Sequence, residues 1–176
     1  MKTWFQAVMV GASILVPTSL VGPAAASATA PVAGCSAASI EVWASSEGNG
    51  TAGTIYYALE LSNLGPKTCT LHGFPSVWAV TKAGAQAGKP ASHRGTPTTV
   101  VLSAGATAHA ILGVVDVGAL CGNGIAAAGL KVVPPGLASS AAEEIDNFPA
   151  TVCPNEPSMH VGPVRPGTAI PLYTSS

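Results

Sequence analysis

Four cysteines limit most tightly what this chain can fold into: Cys35, Cys69, Cys121 and Cys153. Whether they are bridges or metal ligands depends on the redox compartment, and the N-terminus speaks to that. Lys2 is the lone charge of a short n-region, and Trp4 to Val21 is mostly apolar. Gly22-Pro23 then breaks the run before the small residues Ala24-Ala25-Ala26-Ser27-Ala28. Signal peptidase needs small side chains at −1 and −3, and Ala26-Ser27-Ala28 meets that need, so cleavage is expected after Ala28. Cleavage after Ala26 is the nearest alternative; after Ala30 it would place Pro31 at the disfavoured +1 position.

Two rival readings use the same residues. The apolar run approaches the ~20 residues of a spanning helix, but Pro17, Thr18 and Ser19 interrupt it. Val32-Ala33-Gly34-Cys35 has the form of a lipobox, yet a Pro/Ala-rich segment separates it from the apolar stretch it should adjoin. A free secreted protein is therefore favoured over one anchored through a lipid on Cys35. The expected layout is a signal peptide over 1–28, a flexible lead-in over 29–38, a β domain over 39–167 and a tail over 168–176.

In an exported chain an even cysteine count reads as two disulfides. None of the four stands as C-x-x-C, so zinc and thioredoxin-type chemistry lose their usual spacing. Charged residues make up only 9% of the chain, against ~25% ordinarily. Without Lys2, six Lys/Arg face eight Asp/Glu. No basic stripe exists to meet phosphates, which argues against nucleic acid as a partner. No segment after the leader is long and apolar enough to span a membrane.

Period-two alternation marks the strands. Ser39 to Ala44 places Ile40, Val42 and Ala44 inward and Trp43 outward. Thr54 to Asn63 is the best strand, with Ile55, Tyr57, Leu59 and Leu61 on one face and Tyr56, Ala58, Glu60 and Ser62 on the other. Cys69-Thr70-Leu71, Val77 to Val80, Thr98 to Leu102, Ala106 to Val115 and Leu130 to Val133 follow. Met159 to Arg165 is expected as a last edge strand, and 138–146 reads as either helix or strand. Lys82 to Pro97 is expected as an exposed, mobile loop. Seven to nine short strands separated by Gly/Pro/Asn turns predict an all-β antiparallel sandwich. If the first two strands form a hairpin, Cys35 and Cys69 meet at one end. Two later crossings bring Cys153 back to Cys121. That favours Cys35–Cys69 with Cys121–Cys153 among the three pairings four cysteines allow.

The run Gly53 to Asn63, then Cys69-Thr70-Leu71-His72-Gly73-Phe74-Pro75, resembles the domain-of-unknown-function family numbered 4232 of exported actinobacterial proteins. Leu102 to Gly105, Cys121, Val132 to Gly136 and Cys153 add to the resemblance, which extends from Cys35 to about Gly167. It implies an immunoglobulin-like β fold and structural roles for the glycines, the cysteines and Asn63, which would cap a turn. It implies no catalytic residue and no cofactor.

Catalytic patterns are missing from the sequence itself. It has no G-x-S-x-G, no H-E-x-x-H and no phosphate-cradling loop followed by Lys-Ser/Thr. His72, His93, His109 and His160 are scattered, and a site assembled with Asp116 and a serine would be visible only in space. Met159-His160 is too small a ligand set for copper or zinc. Glu143, Glu144 and Asp146 read as surface carboxylates, and Asn49-Gly50-Thr51, a sequon in form, reads as a turn. Trp43, Tyr56 and Trp78 are the candidate surface contacts. The expectation is a non-enzymatic binding module that meets an unknown protein or envelope component without a cofactor. The alternatives are a protease inhibitor presenting Lys82 to Thr96, and a weak hydrolase with a Ser/His/Asp site.

Overall fold

The computed structural model describes residues 30–169; the expected leader and its expected cleavage site at Ala28 lie outside them. In chain order the strands begin with β1 (Ile40–Ala44), β2 (Asn49–Thr51), β3 (Thr54–Asn63), β4 (Cys69–His72) and β5 (Ser76–Val80). Next come β6 (Gln86–Ala87), β7 (Ser92–His93), β8 (Thr99–Leu102), β9 (Thr107–Val115) and β10 (Ile125–Ala126). The last are β11 (Gly129–Val133), β12 (Glu143–Asp146), β13 (Thr151–Val152), β14 (Met159–Val161) and β15 (Arg165–Pro166). One helical turn, α1 (Val117–Leu120), follows β9, capped by the Asp116 carboxylate, which accepts the Gly118 N–H at 2.9 Å.

The strands build the antiparallel sandwich that the alternation predicts, of the immunoglobulin-like kind that the resemblance implies, with fifteen strands among the described residues where seven to nine are expected. The larger sheet runs β1-β3-β9-β14-β7, with β2 beside β3 and β15 beside β9. A four-stranded sheet, β12-β11-β5-β6, and the pairs β4-β8 and β10-β13 make up the rest. Tyr57, Leu59 and Leu61 of β3 and Ala108, Ala110, Leu112 and Val114 of β9 point into one core. Leu71, Val77, Ala79, Leu102, Leu130 and Val132 from the smaller sheets fill the same core. Burying each large aliphatic side chain stabilises the fold by about 1.5–3 kcal/mol.

Both disulfides form in the pairing that strand order favours. Cys35–Cys69 spans 4.8 Å between Cα atoms and Cys121–Cys153 spans 6.0 Å. Each closes a loop long enough to contribute about 3–4 kcal/mol in the chain-entropy account. Cys35 thereby has a sulfur partner, and its backbone N–H donates to the Thr70 carbonyl.

Two expectations need correction, and one open reading is resolved. Residues 82–97 are not a free loop. They carry β6 and β7, Ala87 and Ala91 are buried, and the Ala91 and Arg94 N–H groups donate to Val77 and Val161. Because β7 adds in parallel to β14, the latter is an interior strand and all three of its residues are buried. The ambiguous 138–146 resolves into a 3-10 turn at Ser139–Ala141 and then β12, which pairs with β11. Cross-strand pairing there overrides the helix preference of the Ala/Glu-rich sequence.

Asn63 ends β3 and does more than cap a turn. It is fully buried, and its Nδ2 donates to the carbonyls of Lys67, Leu102 and Ser103 at 2.9, 3.1 and 3.2 Å. Its Oδ1 accepts the Gly65 N–H at 3.0 Å. One side chain thus fixes the β3–β4 turn to the β8–β9 turn. Gly65 allows this approach, since a Cβ there would stand 2.8 Å from Ser39 Cβ. Asn63→Ala should lower unfolding free energy by about 2–4 kcal/mol, because several buried groups lose partners. Asn63→Asp, isosteric but without the donor, should not restore it. Urea unfolding checks both, and wild-type stability in the Asp variant would contradict this role.

Candidate functional site

The outer face of the larger sheet carries a row of four cross-strand neighbours. Trp43 on β1 is opposite Glu60 on β3, Glu60 is opposite His109 on β9, and His109 is opposite Arg165 on β15. Directly opposed residues of paired strands share a face, so indole, carboxylate, imidazole and guanidinium stand side by side. Outward-facing Glu60 should be solvated, yet it is 1% exposed. The cause is the chain after β15. Gly167 donates its N–H to the Thr107 carbonyl, and its own carbonyl accepts the His109 Nδ1–H at 2.8 Å. Ala169 donates its N–H to Glu60 Oε1 at 2.9 Å. Residues 167–169 therefore strap the outer face and cover the carboxylate. Glu60 Oε2 is buried and has no hydrogen-bond partner among the described residues.

Beside the strap lies a hollow of about 390 Å³ lined by Trp43, Ser45, Glu47, Asn49, Glu60 and Ala169, among others. Trp43 is 48% exposed. The Ser45 hydroxyl donates to the Glu47 carbonyl and accepts the Glu47 N–H, both at 3.1 Å, fixing the loop that carries Glu47. A second cleft, about 470 Å³, lies between Ile55, Tyr57, Val114, Val117 and Pro149. Its one charged side chain, Asp116, already caps α1.

Of the three candidate aromatic contacts, Trp43 and Tyr56 lie on this outer face and Trp78 does not. Trp78 is half-buried on β5, opposite Lys131, whose Nζ stands 3.6 Å from Glu144 Oε2. Tyr56 is also half-buried and meets His160 edge-on, with ring centroids 5.8 Å apart. His160 lies over Gly113, where a Cβ would come within 2.3 Å of the ring. Met159 and His160 point to opposite faces, as neighbours on a strand must, so they do not form one ligand set. Glu143 and Glu144 separate the same way, with Glu144 in its ion pair.

The remaining histidines are apart from one another. His93 stacks on Phe74 at 4.6 Å, and His72 Nδ1 pairs with Thr99 Oγ1 at 2.7 Å on an exposed strand pair. Among the described residues no three His, Cys, Asp or Glu side chains are arranged to hold a metal ion, and no helix is long and apolar enough to cross a membrane. Burial raises the Tyr57 phenol, which packs on Phe148 and donates to the Pro149 carbonyl at 3.4 Å.

The motif from Cys69 to Pro75 sits where the layers join. Gly73 donates its N–H to Thr98, its carbonyl accepts the Val164 N–H, and the Thr98 hydroxyl bonds the Val164 carbonyl. A family model described as a domain of unknown function, DUF4232, matches residues 35–165. The chain belongs to the DUF4232 family. No curated protein and no solved structure matches it. In this DUF4232 domain the matched stretch opens at the first bridged cysteine and closes on β15. The strap over Glu60 lies just past that stretch. Glu60 was beyond sequence reasoning for this reason: alternation marks it as outward, and the Ala169 contact that meets it comes from 109 residues away in the chain.

Burial, and then the charge of Arg94, lower the His160 pKa below its usual 6.5. The unfolded chain therefore binds this proton more readily than the native protein. Stability should fall as pH drops below about 6.5, levelling off under the depressed native pKa. In His160→Phe this part of the pH dependence should vanish. Urea unfolding between about pH 7.5 and pH 5 measures the difference between the two curves; parallel curves would contradict it.

Proposed function

We propose that this protein is an exported, non-catalytic binding domain that presents the Trp43 face to a molecule of the cell envelope or its surroundings. One observation carries the reading. A half-exposed tryptophan beside a hollow is held on the larger sheet of a domain with two disulfides, and it adjoins a buried carboxylate with a free oxygen. Rigid aromatic anchors lose little entropy on binding and dominate recognition surfaces. Trp78, half-buried beside a cation already in an ion pair, offers no comparable anchor. The leader-like N-terminus and the two bridges support export.

The domain expressed with its leader and recovered outside the cytoplasm should begin at Thr29. It should be retained on isolated envelopes of the producing cell. Trp43→Ala should weaken retention about ten-fold or more, and Trp78→Ala should leave it nearly unchanged. Equal retention of the two variants, or a retained leader, would count against the reading.

A further inference from the structure

We propose that the Trp43–Glu60 hollow binds a primary ammonium group at the end of a flexible chain, the chemistry of a lysine side chain. This rests on the binding-domain reading and names its ligand. Glu60 is the decisive residue. A carboxylate removed from water needs its oxygens satisfied, and the cost of leaving one bare is large. The Ala169 N–H satisfies Oε1, and among the described residues none satisfies Oε2. Among the described residues the one ion pair joins Lys131 to Glu144, on the other sheet. Glu60 therefore has, among the described residues, a hydrogen-bond acceptor to spare and no counter-ion.

The surroundings select a cation over an anion or a neutral group. Glu47 gives the hollow a second carboxylate, and among the described residues no Lys or Arg lines it. Trp43 adds the aromatic side chain that best attracts a cation. An ammonium there donates one N–H to Oε2 and lies against the indole, with Glu47 adding charge at the mouth. A slender alkylammonium suits the geometry, since the oxygen is buried and only a narrow group could reach it. A small rotation of half-exposed Trp43, or a lift of the strap, opens the last step. A quaternary ammonium has no N–H to give and meets only the indole and the surface charge.

Nitrogen-15 NMR of the full chain tests this through the Trp43 indole cross-peak, assigned by its loss in Trp43→Phe. Butylammonium and Nα-acetyl-lysine N-methylamide should each move that peak saturably. The norleucine counterpart of the latter and tetramethylammonium should bind at least about ten-fold more weakly, reflecting the charged hydrogen bond. Glu60→Gln should weaken butylammonium by a similar factor with the other cross-peaks in place. Should that variant misfold, Glu47→Gln provides the second reading, with a smaller loss of affinity. No saturable shift with either amine, equal binding of tetramethylammonium, or unchanged affinity in both Gln variants would overturn the proposal. If the amines fail while Trp43→Ala still releases the protein from envelopes, the ammonium assignment falls and the binding-domain reading stands. If both fail, both fall.

Discussion

The pairing of β3 with β9 is the constraint on which the rest of the structure depends. It runs through nine registered residue pairs, from Thr54 opposite Val115 to Ser62 opposite Thr107. Every other strand of the larger sheet attaches directly or through one neighbour to this pair: β1 and β2 to β3, and β14 and β15 to β9. The pair is long-range, so its loop-closure cost must be met by burial along its whole length. Its inner face meets that cost with Tyr57, Leu59, Leu61, Ala108, Ala110 and Leu112. A one-residue slip would turn this set outward, so the core fixes the register. The same register sets Glu60 between Trp43 and His109, so one constraint builds the core and composes the outer row.

The two bridges and Asn63 hold the ends of this frame. Cys35–Cys69 ties the lead-in to β4, and Asn63 joins the turns beside it. Cys121–Cys153 fastens the segment after α1 to the segment after β13. In a chain with only 5% aromatic residues, such fixed points replace bulk in the core. Gly73 joins the layers through backbone bonds alone, to Thr98 on one side and Val164 on the other. The Cys69–Pro75 motif that marks the family is thus an architectural joint.

Much of the fold was legible in the sequence because its long strands alternate cleanly. The core faces of β1, β3 and β9 follow from period two alone, and strand order was enough to favour the pairing of the cysteines. What escaped depends on contacts distant in sequence. β6 and β7 are two residues each and exist only because Val80 and β14 offer them free edges. An Ala/Gly-rich sequence gives no local sign of that. Trp43, an outward aromatic, was visible as a candidate. Its partner Glu60 was not, since a charged residue on the outer face of a strand looks solvated until residues 167–169 cross it. Tyr56 shared the outward parity of Trp43, and Trp78 was named beside them; the ring contact of Tyr56 with His160 and the place of Trp78 opposite Lys131 on the other sheet separate them from Trp43.

Recognition on this domain, as we read it, comes from a stiff platform. Trp43 and Glu60 are held on adjacent strands, so their spacing is fixed before a ligand arrives, and little ordering cost is left to binding. That claim requires the β3–β9 ladder to be the most stable part of the molecule. Native-state amide hydrogen exchange tests it most directly. The account predicts that the slowest amides belong to Tyr57–Leu61 and Ala108–Leu112, exchanging only through global unfolding. Amides of β5 and β11 that outlast them would contradict it and place the rigid centre in the other sheet.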